Sequence, residues 1–316
     1  MAKGEPISFT CPLFSIVIAV YNNWDSLNHC LQSLQQQSNA PAFEVIIIDD
    51  GSTDPAPQYI RDWLRCYSLT IERKPHAGTS AAKNSGIRIA KGEVVFFIDS
   101  DCKPQTNCLA VLASTIAATP LNDAFQLHLI GDRTSLVGRA EELRLIALQN
   151  QMLQPDGRIR YLNTAGFAIR RTKVNAGGNL FHPMIQRGED TLLLSDLIRS
   201  GKLPLFVPQA IVQHVIPLSL TQWMRKTIRS SYFEAATYNL IGPQVSRFRA
   251  SPRERLSMLS SMWKTSGQQS IGKLAWFVAV VRQSLRLIVL SLAAAGGGWS
   301  SSPAPQTFPD RPAGNP

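Results

Sequence analysis

Three groups of carboxylates stand out by where they fall in the chain: Asp49-Asp50 with Asp54, Asp99 with Asp101, and Glu189-Asp190. The first two each follow an apolar, β-branched or aromatic run, Val45-Ile-Ile-Ile and Val94-Val-Phe-Phe-Ile. Runs that are apolar on both faces form strands buried in a parallel sheet, and ligands bind beyond the carboxyl ends of such strands. Carboxylates gathered there repel one another and stay ionised only beside a cation or hydrogen-bond donors. A nucleotide with a divalent metal supplies a cation, sugar hydroxyls and base N–H groups together. Hard ions take carboxylate and phosphate oxygens and keep part of their water, so one or two carboxylates suffice. Asp99-Ser100-Asp101, alternating just past a strand, suits that diphosphate region.

Tyr21 closes the first apolar run about thirty residues before Asp49-Asp50. If both strand ends line one crevice, its ring can face a planar base while Asp50 accepts the base N–H. Asp50-Gly-Ser-Thr-Asp54 is equally good turn and helix-cap chemistry. Glu189-Asp190 follow Gly188 at the start of a helical pattern, where exposed N–H groups and the macrodipole favour an ionised carboxylate. A general base must be ionised to act, although the same acids also simply improve a helix start. His214 sits in Ile-Val-Gln-His-Val-Ile and reads either as a packed histidine or as a metal ligand, imidazole being acceptable to Mn²⁺.

The elements that must carry these groups alternate. Strands are expected at Phe14–Val20, Phe43–Ile48, Ser68–Arg73 and Val94–Ile98, with helices at Trp24–Gln36, Asp54–Tyr67 and Thr79–Ala90 between them. That order implies right-handed crossovers and a doubly wound sheet. Beyond it, Pro104–Thr119 reads as helix, Phe125–Val137 is ambiguous, and Thr164–Arg170 reads as strand. A helix Glu189–Ser200 and two strands, Leu203–Val207 and Ile211–Ile216, follow. Leu13–Val20 is short, weakly basic in its flank and without a cleavage pattern, so it reads as a strand rather than a signal peptide. No GxxxxGK[ST] loop or EF-hand pattern occurs, and the five cysteines lack CxxC spacing, which points to a reducing cytoplasm.

Taken together, "SIVIAVYNN", "EVIIIDDGSTD", "AGTSAAKNSGIRIAKGEVVFFIDSD" and "RGED" resemble, in order and spacing, the family 2 glycosyltransferases, inverting nucleotide-sugar enzymes of the GT-A fold. The resemblance covers roughly residues 12–216. It implies a mostly parallel α/β sheet, with Val20 and Tyr21 at the base, Asp50 recognising it, Lys83 near the nucleotide and Asp99 on the ribose or donor sugar. Asp101 would bind Mg²⁺ or Mn²⁺, joined by His214, and Asp190 beside Glu189 would be the acceptor-side base. The donor would be a nucleotide sugar, UDP-sugars being commonest, and the acceptor is open, a lipid-linked one included. A nucleotidyltransferase or a non-catalytic nucleotide-sugar-binding relative are the alternatives.

Charge divides the chain. Residues 217–316 carry twelve Lys/Arg against three Asp/Glu, nine of the ten net positive charges. An anionic partner such as a membrane surface follows, whereas nucleic acid is disfavoured because no aromatics interleave as stacking platforms. The expected organisation is a catalytic domain over 1–216, a basic amphipathic helical extension over 217–295 and a flexible tail over 296–316. In Gln222-Trp223-Met-Arg225-Lys226, Trp223 could pack an acceptor sugar or dock the helix on the sheet. The Gln-x-x-Arg-Trp sequence of processive synthases is absent, which favours addition of a single sugar. Leu274–Ala295 has the length of a membrane span but holds Arg282 and Arg286 near its middle, at roughly 2.5–3.5 kcal/mol each. It therefore reads better as an interfacial or docked helix, with both arginines directed to headgroups in the interfacial case.

Overall fold

The computed structural model describes residues 12–295 apart from 66, 175–176, 183–184, 186–187, 216–217, 242–249 and 268–270. The proposed tail, Cys11, Cys66 and the Arg187 of the RGED motif therefore lie outside the described residues. In chain order the elements are β1 (Phe14–Val20), α1 (Trp24–Gln35), β2 (Phe43–Asp49), α2 (Gln58–Arg61), β3 (Ser68–Arg73), α3 (Thr79–Ile89), β4 (Val94–Phe97) and β5 (Cys102–Pro104). Then come α4 (Cys108–Ala118), β6 (Ala124–Gly131), α5 (Leu136–Met152), β7 (Phe167–Arg170), α6 (Glu189–Arg199) and β8 (Leu205–His214). Three helices complete the described chain: α7 (Leu220–Ile241), α8 (Pro252–Ser266) and α9 (Gly272–Ala295).

The eight strands form one sheet in the order β3-β2-β1-β4-β7-β6-β8-β5. β3, β2, β1 and β4 are parallel, and β7 turns the direction by pairing antiparallel with both β4 and β6. Alternation along the buried strands divides the core. Ile16, Ile18, Val45, Ile47 and Phe96 face α1 and α4, while Val17, Ile46, Ile48, Val95 and Phe97 face α3 and α6. Each such side chain contributes about 1.5–3 kcal/mol by leaving water, and the shared register sets where every strand ends. Val20 pairs with Asp49, so the β1 and β2 termini open on the same edge.

Several elements differ from expectation for local reasons. The helix expected over Asp54–Tyr67 shrinks to α2 and a 3₁₀ turn over Asp62–Arg65, because Pro55 and Pro57 hold the approach extended. The two strands expected around Pro208 are one, β8, whose register with β6 shifts between Leu127 and His128 to accommodate the proline. The expected strand Thr164–Arg170 begins as a 3₁₀ turn, Thr164–Gly166, capped by Asn163. β5 precedes α4, shortening the helix expected from Pro104.

The C-terminal helices pack on α5 in a separate apolar cluster holding Val137, Ala140, Leu143, Met262, Ala275, Val278 and Ala279. Trp223 belongs to it. The ring is 3% exposed, with the Arg282 guanidinium 5.1 Å from its centre. This corrects the reading of a helix docked on the sheet, since the ring packs among α5, α8 and α9, and it also leaves almost no surface to offer an acceptor sugar.

Candidate active site

The strand ends and the C-terminal helices enclose a cavity of about 650 Å³. Asp99 and Asp101 enter it just beyond β4, Lys83 from α3, Glu189 and Asp190 from the start of α6, and His214 from the end of β8. Six side chains spread from Lys83 to His214 in sequence thus meet because four elements terminate at one edge.

Lys83 links the two sides. Its ammonium, 1% exposed, lies 3.6 Å from Asp99 Oδ1 and 3.0 Å from Glu189 Oε1, and donates to Thr164 Oγ1. Burial works against the charge, yet Glu189 and Asp99 outweigh it and raise the Lys83 pKa. The cation thereby holds the Asp99 and Glu189 carboxylates in fixed relation.

Asp101 and His214 meet through the sheet. β5 pairs with β8 so that Cys102 stands opposite His214, and the Val215 N–H donates to the Asp101 carbonyl at 2.9 Å. His214 Nε2 then lies 3.4 Å from Asp101 Oδ1. Burial would push the Asp101 carboxyl up, but the His214 charge and hydrogen bond bring it down to about 2. A carboxylate oxygen and an imidazole nitrogen this close fit a divalent ion that keeps part of its water. The neighbouring Cys102 thiol also lies within reach of both, but burial and the Asp101 and Asp99 charges push its pKa well up, so it suits such an ion poorly.

Asp190 stands in the first turn of α6, as the sequence implied. Gly188 precedes it at φ 89°, a left-handed conformation that glycine adopts without strain, and Asp190 Oδ1 accepts the Thr191 N–H at 2.8 Å. Burial and the adjacent Glu189 nevertheless raise its carboxyl to about 7, against the pull of Lys83. A carboxylate that titrates there is poised to take and return a proton near neutral pH.

Val20, Tyr21 and Asp50 do not line this cavity. They form a neighbouring ledge at the β1 and β2 ends. Val20 is 2% exposed and acts through its backbone, accepting the Asp50 N–H at 2.9 Å. Asp50 accepts the Ala77 and Gly78 N–H groups at 2.9 and 3.0 Å, which fixes the loop entering α3. Tyr21, 41% exposed, stacks on His76 with ring centres 4.5 Å apart, and His76 Nδ1 lies 2.9 Å from Asp50 Oδ2. Gly51, at φ 76°, allows this approach, since a Cβ there would stand 2.7 Å from the His76 nitrogen. Sequence reasoning passed over His76 because a histidine in a loop carries no periodic signal. It likewise missed Tyr161, Arg144 and Glu141 on the helical wall, and Lys226, whose charge reaches Asp101 and His214.

Comparison with known proteins agrees with this geometry. The profile of "Glycosyl transferase family 2" matches residues 15–177. Glycosyltransferase AglE of Haloferax volcanii is 32% identical over 114 residues, 35% of this chain and 37% of that protein. The poly(ribitol-phosphate) beta-glucosyltransferase of Bacillus spizizenii is 41% identical over 91 residues, 28% of this chain and 14% of the relative. The matched stretches span less than half the length of these curated relatives. Among solved structures, TarS 1-349 of S. aureus in complex with UDP-GlcNAc has a TM-score of 0.54 at 15% identity, covering 90% of this chain and 92% of its own. The mannosyltransferase PcManGT of Pyrobaculum calidifontis, in complex with GDP-Man and Mn²⁺, gives 0.54 at 17%, covering 91% and 80%. These likenesses show the GT-A fold.

Proposed function

Because this chain belongs to glycosyl transferase family 2 and is a glycosyltransferase, we propose that it moves a single sugar from a nucleoside-diphosphate donor to an acceptor hydroxyl with inversion. The observation that carries the reading is Lys83, which couples Asp99 on one side of the cavity to Glu189 on the other. The donor's base would lie on the Tyr21–His76–Asp50 ledge and its sugar against Asp99. UDP is the first carrier to try, since a solved structure of similar fold binds UDP-GlcNAc.

Asp101 and His214 would hold a divalent ion, Mn²⁺ or Mg²⁺, which supplies positive charge to the departing diphosphate. Lys226 adds to that charge from α7. Across the cavity Asp190 accepts the proton of the acceptor hydroxyl, whose oxygen enters opposite the leaving group. Glu189 stays paired with Lys83 and keeps the Asp190 proton affinity high.

The test is a thermal-shift screen of nucleotide sugars with and without Mn²⁺, followed by product analysis. A ligand selective for the folded protein raises its apparent stability. Released nucleoside diphosphate with an inverted glycoside supports the assignment. Pyrophosphate released from a nucleoside triphosphate would identify a nucleotidyltransferase instead, and no turnover with any donor would favour a non-catalytic relative.

The proposed site of action is a cytoplasmic membrane surface. By length and composition Gly272–Ala293 could cross a membrane. Arg282 and Arg286, however, point inward, Arg286 pairing with Glu234 and Arg282 donating to Thr227 Oγ1 at 3.1 Å, which corrects the expectation that they face headgroups. Val278 also faces inward, while Leu274, Phe277, Val281, Ile288 and Leu292 stay exposed. An apolar outer face on a basic extension suits adsorption to anionic lipid. Flotation with anionic vesicles should recover the protein, and Phe277→Asp should reduce the recovered fraction several-fold; equal recovery would reject the lipid role.

A further inference from the structure

The wall of the cavity facing the strand ends has a composition the proposed reaction does not explain. Arg144, Arg160, Arg255, Arg282 and Arg286 line it with two acids, Glu141 and Glu234, and Arg160 pairs with Glu254 beyond the lining. Glu234 is engaged by Arg286, Nε to Oε2 at 2.9 Å with a second bond alongside, and Glu141 is engaged in the same bidentate way by Arg144, Nε to Oε2 at 3.0 Å. Arg282 has Glu141 only at 4.0 Å, with the Thr227 hydroxyl and the Trp223 ring beside it, although its side chain is only 17% exposed. Burial, with Arg144 and Arg286 adding repulsion against the pull of Glu141, lowers this guanidinium to about 10, so it stays charged at neutral pH.

A second observation comes from Tyr161. The residue lines the same cavity, and its buried hydroxyl makes no hydrogen bond of full geometry, the Asn163 side chain alone acting on it as a hydrogen-bonding neighbour. A buried polar group left unsatisfied costs about 1–3 kcal/mol. The Tyr161 ring stands where the charges of both Arg144 and Asp190 reach it. The Tyr161 side chain therefore borders the space that Arg144 and Asp190 also line.

We propose that Arg282 and Arg144, with the Tyr161 hydroxyl, bind a phosphate group of the acceptor and so present the acceptor's hydroxyl to Asp190. This deepens the glycosyltransferase reading and rests on it for the role of Asp190. Planar guanidinium groups match phosphate oxygens in pairs, and a phosphate supplies both the missing negative charge and an oxygen for Tyr161. Lipid-linked and soluble phosphate esters share this chemistry.

The experiment is calorimetric titration of inorganic phosphate into the full chain saturated with UDP and Mn²⁺. One phosphate should bind per chain, and Arg282→Gln should weaken it about 10–100-fold, the worth of one charge-assisted hydrogen bond. Arg282→Lys should restore part of the affinity, and Tyr161→Phe, which keeps the ring, should weaken it several-fold. Phosphate binding that disappears once UDP saturates the protein, or that survives both Arg282→Gln and Tyr161→Phe, overturns the proposal. If UDP itself fails to bind, the donor assignment fails, and the variants still decide the phosphate site. Displacement of bound phosphate by glycerol 3-phosphate would assign a soluble acceptor. Displacement only by vesicles carrying an isoprenyl phosphate would assign a lipid-linked one, and displacement by neither would contradict the acceptor role.

Discussion

On the sheet side of the cavity the working groups are short carboxylates, one histidine and the buried Lys83, held at strand and helix ends; on the helical side they are long cations, arginines from α5, α8 and α9 and Lys226 from α7. A short side chain inherits its position from the backbone, so Asp101 and His214 are placed by strand pairing alone. A long one is placed by its partners, as Arg144 is by Glu141 and Arg286 by Glu234. The sheet side is therefore held rigidly, while the helical wall offers charge that a bound anion can draw together. Chemistry and stability should respond differently to changes on the two sides.

The largest effect falls on the acid facing the helical wall. Asp190→Asn should slow transfer by about 10²–10⁴-fold in kcat, the usual contribution of a general base; a loss under tenfold would remove it from that role. Stability should then separate the walls. Lys83→Met leaves the buried Glu189 without its cation, beside a partly exposed Asp99, and should cost about 3–5 kcal/mol, read from the urea midpoint. Arg286→Met breaks a bidentate pair whose side chains are 24% and 20% exposed and should cost less, about 1–3 kcal/mol. Equal losses would erase the contrast.

The pH profile sharpens it further. Burial and Glu189 raise the Asp190 carboxyl to about 7, and in the proposed role of base it acts ionised. Well below that value kcat should rise about tenfold per pH unit and then level off above it. The sign for stability is opposite: a carboxyl whose folded pKa stands above its free value of 3.8 adds stability at low pH, lost as pH rises toward 7. A kcat flat between pH 5 and 8 would assign the proton to another group.

The same division governs what could be read from residues alone. The β1–β4 alternation and the strand-end acids were legible because apolar runs and their punctuation are local. α5 was not, because its buried face carries Glu141, Glu142 and Gln149, which hide the apolar period. Glu142 is held by Arg133, and Gln149 bonds the Leu129 backbone in both directions, partners no pattern announces. Trp223 was read in two ways because a tryptophan on a basic helix looks the same whether it packs inward or meets a sugar. His76 became visible only when Gly51 brought its loop against Tyr21 and Asp50.

The central claim is that donor and acceptor are handled by opposite sides of one cavity. Calorimetric titration of a nucleotide sugar with Mn²⁺ into Asp101→Asn and Asp190→Asn tests it directly. Asp101→Asn should weaken metal-dependent donor binding by at least the 10–100-fold typical of groups that only support a metal ligand, while Asp190→Asn binds donor like the parent protein and fails to transfer it. Parallel loss of donor binding in both variants would contradict the division.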